Sequence, residues 1–213
     1  MGSRIMHAII AYKVAEALNI QDQATFIIGG IAADAAIMAK DASHFYSGEL
    51  QRFTRTINYE AFYKKYKNEV SKNYINGYYV HLIADDLWLQ GFFMPWLKNR
   101  LEAKPELLNA YHNDFKMLNA KLIEHYHLNE QLSALLNEPF EKCYLQEVSN
   151  EEVSAFIPSI LNDLQYDTEI LKMPLTVFAM EQIVGYVETS IEKSILLLEH
   201  SSKKKTLIQI KGG

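Results

Sequence analysis

Five histidine and aspartate residues in the first 85 positions have types and spacing that could support metal chemistry: His7, Asp34, His44, His81 and Asp85. His81 and Asp85 are four residues apart, so on a helix both side chains project from one face. The surrounding segment is apolar nearly all round, and an unpaired carboxylate is costly to bury. The pattern therefore predicts that a metal ion or another cation neutralises Asp85.

His7 presents a similar case on the first predicted helix. It shares a helical stripe with Ile10, Val14 and Leu18, so we expect it to face inward. Zinc and related metals bind imidazole nitrogen and carboxylate oxygen. A His-x3-Asp pair supplies two such ligands, and Asp34 and His44 could supply others from elsewhere in the chain.

Structural interpretations of the same residues compete with the metal hypothesis. An inward-facing histidine is often a hydrogen-bonded core residue, and an inward-facing aspartate often caps a helix or pairs with arginine or lysine. Asp34 and Asp41 could each cap a helix, and Asp86 could be the solvated neighbour of Asp85. Spacing alone leaves both interpretations open.

Helical periodicity and the scarcity of glycine (9) and proline (5) predict one all-α domain over residues 1–213, a compact multi-helix bundle. Residues 39–58 are predicted to form a long loop, and Thr206–Ile210 is the one segment whose alternation suggests a strand. Asp22 and the Ser149 region are predicted to cap helices, and Pro95 to disturb the end of the most apolar helix. The predicted helices cover about 4–19, 23–38, 59–70, 72–94, 105–127, 130–137, 150–170 and 174–200.

Composition narrows the function classes. The chain has 213 residues with 21 basic and 26 acidic side chains, a formal charge of −5, which argues against long nucleic acids as the obligate partner. A single cysteine, Cys143, excludes an internal disulfide and a multi-cysteine zinc site. We expect no transmembrane segment and no signal peptide, and hence a cytoplasmic location.

Four segments together resemble the zinc-dependent phospholipase C / S1–P1 nuclease superfamily, in particular its intracellular bacterial branch of uncharacterised proteins. They follow the family's order within about the first 95 residues: MGSRIMHAIIAYKVAEAL, FIIGGIAADA, KDASHF and GYYVHLIADDLW. The second segment resembles the branch's GxIxPDA motif, with Ala33 where proline is common.

This resemblance implies a compact all-α bundle that hydrolyses phosphoesters with two or three zinc ions in a cleft between helices. By motif, Asp34, His44, His81 and Asp85 match one zinc site, and Asp85 bridges towards a second. His7 matches the histidine of the first helix, which serves that neighbouring zinc.

The sequence also departs from the secreted members of this superfamily. Those enzymes use an N-terminal tryptophan as a ligand and a further histidine soon after His-x3-Asp, whereas residues 86–100 here contain no histidine. We therefore expect a reduced centre of one or two zinc ions, with another divalent metal as an alternative.

The expected function is a metal-dependent hydrolase of a small phosphoester, such as a phosphodiester or a phospholipid headgroup-like substrate. A carboxylate outside the metal site, Asp41 or Asp86, is predicted to orient the attacking water or act as its base. Two alternatives remain open at this point: a metal-binding helical protein without turnover, and a structural or partner-binding bundle.

Overall fold

The computed structural model describes residues 3–211, and their side chains as far as Ser201. The all-α prediction is confirmed, since helices make up 70% of the chain. A π-helical segment, Leu89–Leu97, continues α5, a short 3-10 helix covers Thr168–Lys172, and two-residue strands β1 (Tyr46–Ser47) and β2 (Thr56–Ile57) pair antiparallel. The α-helices are α1 (Arg4–Ala17), α2 (Gln23–Ala35), α3 (Lys40–Ser43), α4 (Tyr59–Tyr66), α5 (Lys72–Trp88), α6 (Lys98–Ala103), α7 (Leu107–Tyr126), α8 (Asn129–Leu136), α9 (Asn150–Asp163) and α10 (Met180–Lys211).

Several helix starts follow from local chemistry that the sequence displays. Asp22 accepts a hydrogen bond from the Thr25 amide and caps α2, as predicted. Ser149 and Glu152 form a capping box at the start of α9, in which each side chain accepts a bond from the other residue's backbone amide. These bonds satisfy amides that the first helical turn leaves without partners.

Other boundaries differ from the prediction. Residues 39–58 contain α3 and the β1–β2 hairpin, which are too short to generate a detectable periodicity. Thr206–Ile210 belongs to α10, so the suggested strand is wrong. Pro95 lies inside the π-helical segment rather than ending a helix. It has no amide hydrogen to donate to the preceding turn, and the wider π turn accommodates its ring.

The start of α10 is held by a buried carboxylate that the periodicity did not reveal. Asp114 on α7 is fully buried and accepts backbone hydrogen bonds from Thr176, Val177 and Phe178, at 2.7–3.1 Å. Residues 174–179 are therefore a loop fixed on α7, and α10 begins at Met180, six residues later than predicted. The loop also places the Phe178 ring against Trp88 of α5.

The centre of the molecule is built from α1, α2 and α5, whose buried faces join one apolar core. Two glycines allow α2 and α5 to approach closely. A Cβ at Gly29 would lie 2.1 Å from the Tyr74 carbonyl oxygen, and one at Gly77 would lie 1.9 Å from that of Phe26. This approach brings the backbone of α2 against the face of α5 that carries His81 and Asp85.

A helix that crosses a bilayer must be both long and apolar. Within residues 3–211, no helix combines the two properties to the degree that crossing a bilayer requires.

Candidate metal centre

Four segments of the chain deliver the five predicted residues to one place. His7 comes from α1, Asp34 from the end of α2, His44 from the residue after α3, and His81 and Asp85 from α5. Within the described residues, two groups have ligand atoms within 4.8 Å of one another: His7, Asp34 and His81, and His44, His81 and Asp85. The side chains of His7, His81 and Asp85 are fully buried, that of His44 is 4% exposed, and that of Asp34 is 20% exposed.

His81 is oriented by the backbone of α2. Its Nδ1 lies 2.8 Å from the Gly30 carbonyl oxygen, deep in the α2–α5 contact. A carbonyl can only accept, so Nδ1 carries the proton and donates it. The lone pair of the neutral ring is therefore on Nε2, which faces His44 and Asp85.

His44 is oriented in the same way by its own segment. Its Nδ1 lies 2.8 Å from the Lys40 carbonyl oxygen and 2.9 Å from Ser43 Oγ. Ser43 is itself fixed, because its hydroxyl bonds the Ala33 carbonyl and its carbonyl accepts a bond from the Tyr78 hydroxyl. The Nε2 lone pair of His44 is thus presented to the cluster interior, as a backbone acceptor on the other ring nitrogen commonly arranges for metal-binding histidines.

Three candidate ligand atoms, His44 Nε2, His81 Nε2 and Asp85 Oδ2, lie at nearly equal spacing, and Asp34 Oδ1 lies beside the first of them. His44 Nε2 lies 3.4 Å from His81 Nε2, 3.4 Å from Asp85 Oδ2 and 3.4 Å from Asp34 Oδ1. His81 Nε2 lies 3.6 Å from Asp85 Oδ2. These separations exceed the usual 2.7–3.2 Å of an N–H···O hydrogen bond.

His7 contacts both His81 and the second carboxylate oxygen of Asp85. Its ring stacks on His81 with 3.8 Å between centroids, and its Nε2 lies 3.2 Å from Asp85 Oδ1. Neither ring nitrogen of His7 has a partner of hydrogen-bond geometry among the described residues. Asp85 therefore directs one carboxylate oxygen to His7 and the other to His44 and His81.

The electrostatics of the cluster favour a bound cation. Burial, together with the charge of His81, lowers the pKa of His7 to about 4, so this ring is neutral at pH 7. Burial opposes ionisation of Asp34 and Asp85, yet the neighbouring histidines hold the pKa of each carboxyl below its ordinary value. Two ionised carboxylates thus lie among three imidazoles in a region that excludes most water.

The two aspartates predicted as catalytic groups have other contacts. Asp41 is 77% exposed and its Oδ1 lies 2.8 Å from an Arg55 guanidinium nitrogen. Asp86 Oδ1 accepts hydrogen bonds from the Thr56 hydroxyl and the Ile57 amide and so holds β2 against α5. Neither belongs to the groups whose ligand atoms lie within 4.8 Å of one another. The structure thus brings together the five predicted ligands and leaves these two outside.

Sequence reasoning missed the residues that surround the cluster. The Tyr46 ring stacks on His44 at 5.7 Å, and burial and the charge of Asp85 raise the pKa of its hydroxyl. Arg55 lies over the Tyr46 ring at 4.3 Å. Gly30 contributes only a carbonyl, which no side-chain pattern can reveal, whereas Ser43 directly precedes His44 and adjacency to a candidate ligand was a usable signal.

A cleft of about 460 Å³ opens beside Asp34, the one partly exposed member of the cluster. Its walls come from α1, α2, α3, α7 and α9 and include the cationic side chains Arg4, Lys40 and Lys116. Small molecules can therefore approach the cluster from this side.

Comparison of the chain with models of protein families, with curated proteins and with solved structures finds no match.

Proposed function

We propose that the chain holds a divalent metal ion, zinc in the first instance, between Asp34, His44, His81 and Asp85. One observation carries this proposal, the spacing of 3.4–3.6 Å among His44 Nε2, His81 Nε2 and Asp85 Oδ2, with Asp34 Oδ1 3.4 Å from His44 Nε2. Metal–ligand distances of about 2.0–2.2 Å place neighbouring corners of a tetrahedron about 3.3–3.6 Å apart. The atoms of His44, His81 and Asp85 have the spacing of three corners of a tetrahedral zinc shell, and Asp34, beside His44, is the candidate for the fourth.

The protonation of the two histidines supports the same proposal. Because the Nδ1 of each ring lies 2.8 Å from a carbonyl oxygen, both Nε2 atoms are directed into the cluster, 3.4 Å apart and beside the Asp85 carboxylate. A metal ion between the two nitrogens would satisfy both. Without a metal, a proton on His81 would do so, because, against the effect of burial, Asp34 and Asp85 raise the pKa of this ring. In a purely structural bundle these groups would hydrogen-bond each other. His7 Nε2 and Asp85 Oδ1, at 3.2 Å, are close enough for that, whereas the separations of 3.4–3.6 Å around His44 and His81 are long.

The number of ions follows from the shared donors. His81 belongs to both groups of candidate ligands, and its Nδ1 is already bonded to Gly30, so one Nε2 cannot serve two separate full sets. We therefore propose one main ion. A second and weaker ion would have His7 Nε2 and Asp85 Oδ1 as its nearest donors.

We further propose that this centre serves phosphoester hydrolysis on a small substrate, inside the cell and without an obligate nucleic acid. A bound divalent ion would activate a water molecule and polarise a phosphoryl oxygen. The chain's own contribution is to fix the donors, to exclude water from the buried side, and to leave access through the cleft beside Asp34. Resemblance of the four motif segments to a phosphoesterase superfamily supports this reaction class.

Asp41 and Asp86, which the sequence predicted as catalytic groups, lie outside the proposed metal site. The ion pair of Asp41 and the two hydrogen bonds of Asp86 indicate structural roles, so we assign neither as the base. Asp34 is the carboxylate closest to entering substrate, but it is needed as a ligand. Proton transfer from water is therefore assigned to no side chain of the cluster.

The experiment that tests the function uses the full chain stripped with a chelator and reloaded with zinc or manganese. A panel of phosphomonoesters and phosphodiesters is then assayed, with the His81→Ala variant as the control for contaminating activity. Metal-dependent turnover that His81→Ala abolishes supports the hydrolase. Stoichiometric metal without turnover on any panel member would instead support a metal-binding protein without catalysis.

A further inference from the structure

The cleft beside Asp34 has a charge pattern that the metal cluster does not use. Arg4 donates to Asp163 through Nε at 2.5 Å and Nη2 at 3.1 Å, so this pair is internally neutralised. Lys40 and Lys116 also line the cleft, are exposed, and have no ion-pair partner among the described side chains. Two uncompensated cations thus face a space that ends at a candidate metal ligand.

The same cleft offers apolar surface for an organic group. Phe115 of α7 and Phe156 of α9 line its walls. The segment between Asp34 and Lys40 carries Ile37 and Met38, whose exposed fractions of 75% and 93% are unusual for such side chains. This segment is tied to α9, because the Ile37 amide donates to Glu152 Oε1 at 3.3 Å.

The volume of the cleft limits what it can hold. About 460 Å³ lies within the range of sites that bind small organic ligands. With Lys40 and Lys116 unpaired, the lining side chains carry three cations against the two carboxylates of Asp34 and Asp163. The net positive charge favours an anionic ligand, and the phenylalanines favour one with an apolar part.

We propose that this cleft binds an organic phosphate or phosphonate with an aromatic or apolar substituent, whose anionic group is recognised by Lys40 and Lys116. The substituent contacts Phe115 and Phe156, which line the cleft. The further statement, that the anionic group points towards Asp34 and reacts there, depends on the proposed function. Anion binding by the two lysines does not depend on it.

The test measures binding of phenylphosphonate and methylphosphonate by calorimetry, since neither phosphonate has an ester bond to hydrolyse. The full chain is used in zinc-loaded and chelator-treated forms. Variants are Lys40→Gln, Lys116→Gln and their combination, with Lys67→Gln as the matched control, because Lys67 is exposed at the end of α4 and does not line the cleft. Zinc content is measured on every sample.

We expect phenylphosphonate to bind about tenfold more tightly than methylphosphonate, because its ring buries apolar surface. The double variant should bind it at least about tenfold more weakly, with a smaller dependence on salt and unchanged zinc content. Lys67→Gln should match the original chain.

Two results would overturn the proposal: equal phosphonate affinity in the double variant and the original chain, or a loss in Lys67→Gln as large as that in the double variant. Failure of the metal hypothesis gives a different pattern. In that case the original chain retains no zinc. Phosphonate binding that depends on the two lysines still occurs in chelator-treated protein, and this result supports the cleft proposal by itself. An aromatic phosphomonoester and lipid vesicles with exposed phosphate headgroups then distinguish a free from a membrane-borne source of the ligand.

Discussion

His44 Nε2 and His81 Nε2 lie 3.4 Å apart, while the Nδ1 atom of each ring lies 2.8 Å from a backbone carbonyl oxygen. The two carbonyls belong to Lys40 and Gly30, which are on different segments. The orientation of both rings is therefore set by backbone rather than by the rings' attraction for each other. Both Nε2 atoms are thereby held beside Asp85, which is the arrangement on which the proposed metal site depends.

The geometry of His81 depends on the α2–α5 contact, which Gly77 makes possible. In Gly77→Ala the new Cβ would meet the Phe26 carbonyl 1.9 Å away, so the helices must separate. We expect the free energy of unfolding to fall by about 1–3 kcal/mol and zinc affinity to weaken. Urea denaturation and metal titration measure the two effects.

Gly185→Ala is the matched control for that variant. Gly185 lies within α10, and no neighbouring atom of the described residues comes within 4 Å of the position that a Cβ would take there. Alanine should raise the free energy of unfolding by about 0.5–1 kcal/mol, because it restricts the unfolded chain and favours the helix. If Gly77→Ala were as stable as the original chain, the close approach of α2 and α5 would not control the site.

Asp114 should be a purely structural carboxylate. Asp114→Ala removes the acceptor for the amides of Thr176, Val177 and Phe178. Val177 and Phe178 are buried, and leaving a buried donor unsatisfied costs about 1–3 kcal/mol, so we expect the free energy of unfolding to fall by at least about 2 kcal/mol. Thermal and urea unfolding measure the loss. Asn113 is exposed and precedes Asp114, so the control variant Asn113→Ala should leave the free energy of unfolding nearly unchanged. Undiminished stability of Asp114→Ala would contradict this role.

Much of the site could be predicted from the sequence because its signals are local. A histidine and an aspartate four residues apart on an apolar helix are conspicuous, and His7 stands out in an apolar stripe. The carbonyl of Gly30 and the loop fixed by Asp114 could not be predicted, since backbone acceptors and contacts distant in sequence leave no pattern. The β1–β2 hairpin escaped prediction because two-residue strands have no usable period.

Asp41 and Asp86 are attractive catalytic candidates in the sequence because each lies close to a predicted ligand, and a carboxylate near a metal is a plausible base. Their partners Arg55, Thr56 and Ile57 come from the hairpin region, which was predicted as loop. Without the position of that hairpin, the competing contacts could not be anticipated.

Cys143 should be unreactive in the folded protein. It is buried, and burial raises the pKa of its thiol to about 11, so the thiolate is scarce at pH 8. We expect iodoacetamide to label the native chain at pH 8 many-fold more slowly than the chain in denaturant, as followed by mass spectrometry. Rapid labelling of the native chain would contradict the burial of this residue.

A variant of His7 distinguishes a centre with one metal ion from a centre with two. Its Nε2 lies 3.2 Å from Asp85 Oδ1, whereas Asp85 Oδ2 is the oxygen that lies 3.4–3.6 Å from His44 and His81. We expect His7→Ala to retain the main ion, to lose any second ion, and to lose most turnover if two ions are required. Metal stoichiometry and phosphodiester hydrolysis are measured together, with the exposed His112→Ala as control. Unchanged metal content and activity would make His7 a core histidine only.

The decisive measurement for the metal centre is the zinc stoichiometry of the purified chain, obtained by native mass spectrometry after metal loading, beside that of His81→Ala. This variant removes one of four ligands and leaves Asp85 as a buried, poorly compensated charge. We predict at least one tightly held zinc ion in the original chain, retention of that ion in His112→Ala, and its loss in His81→Ala. Absence of zinc from the loaded original chain, or equal zinc in His81→Ala, would contradict the metal centre.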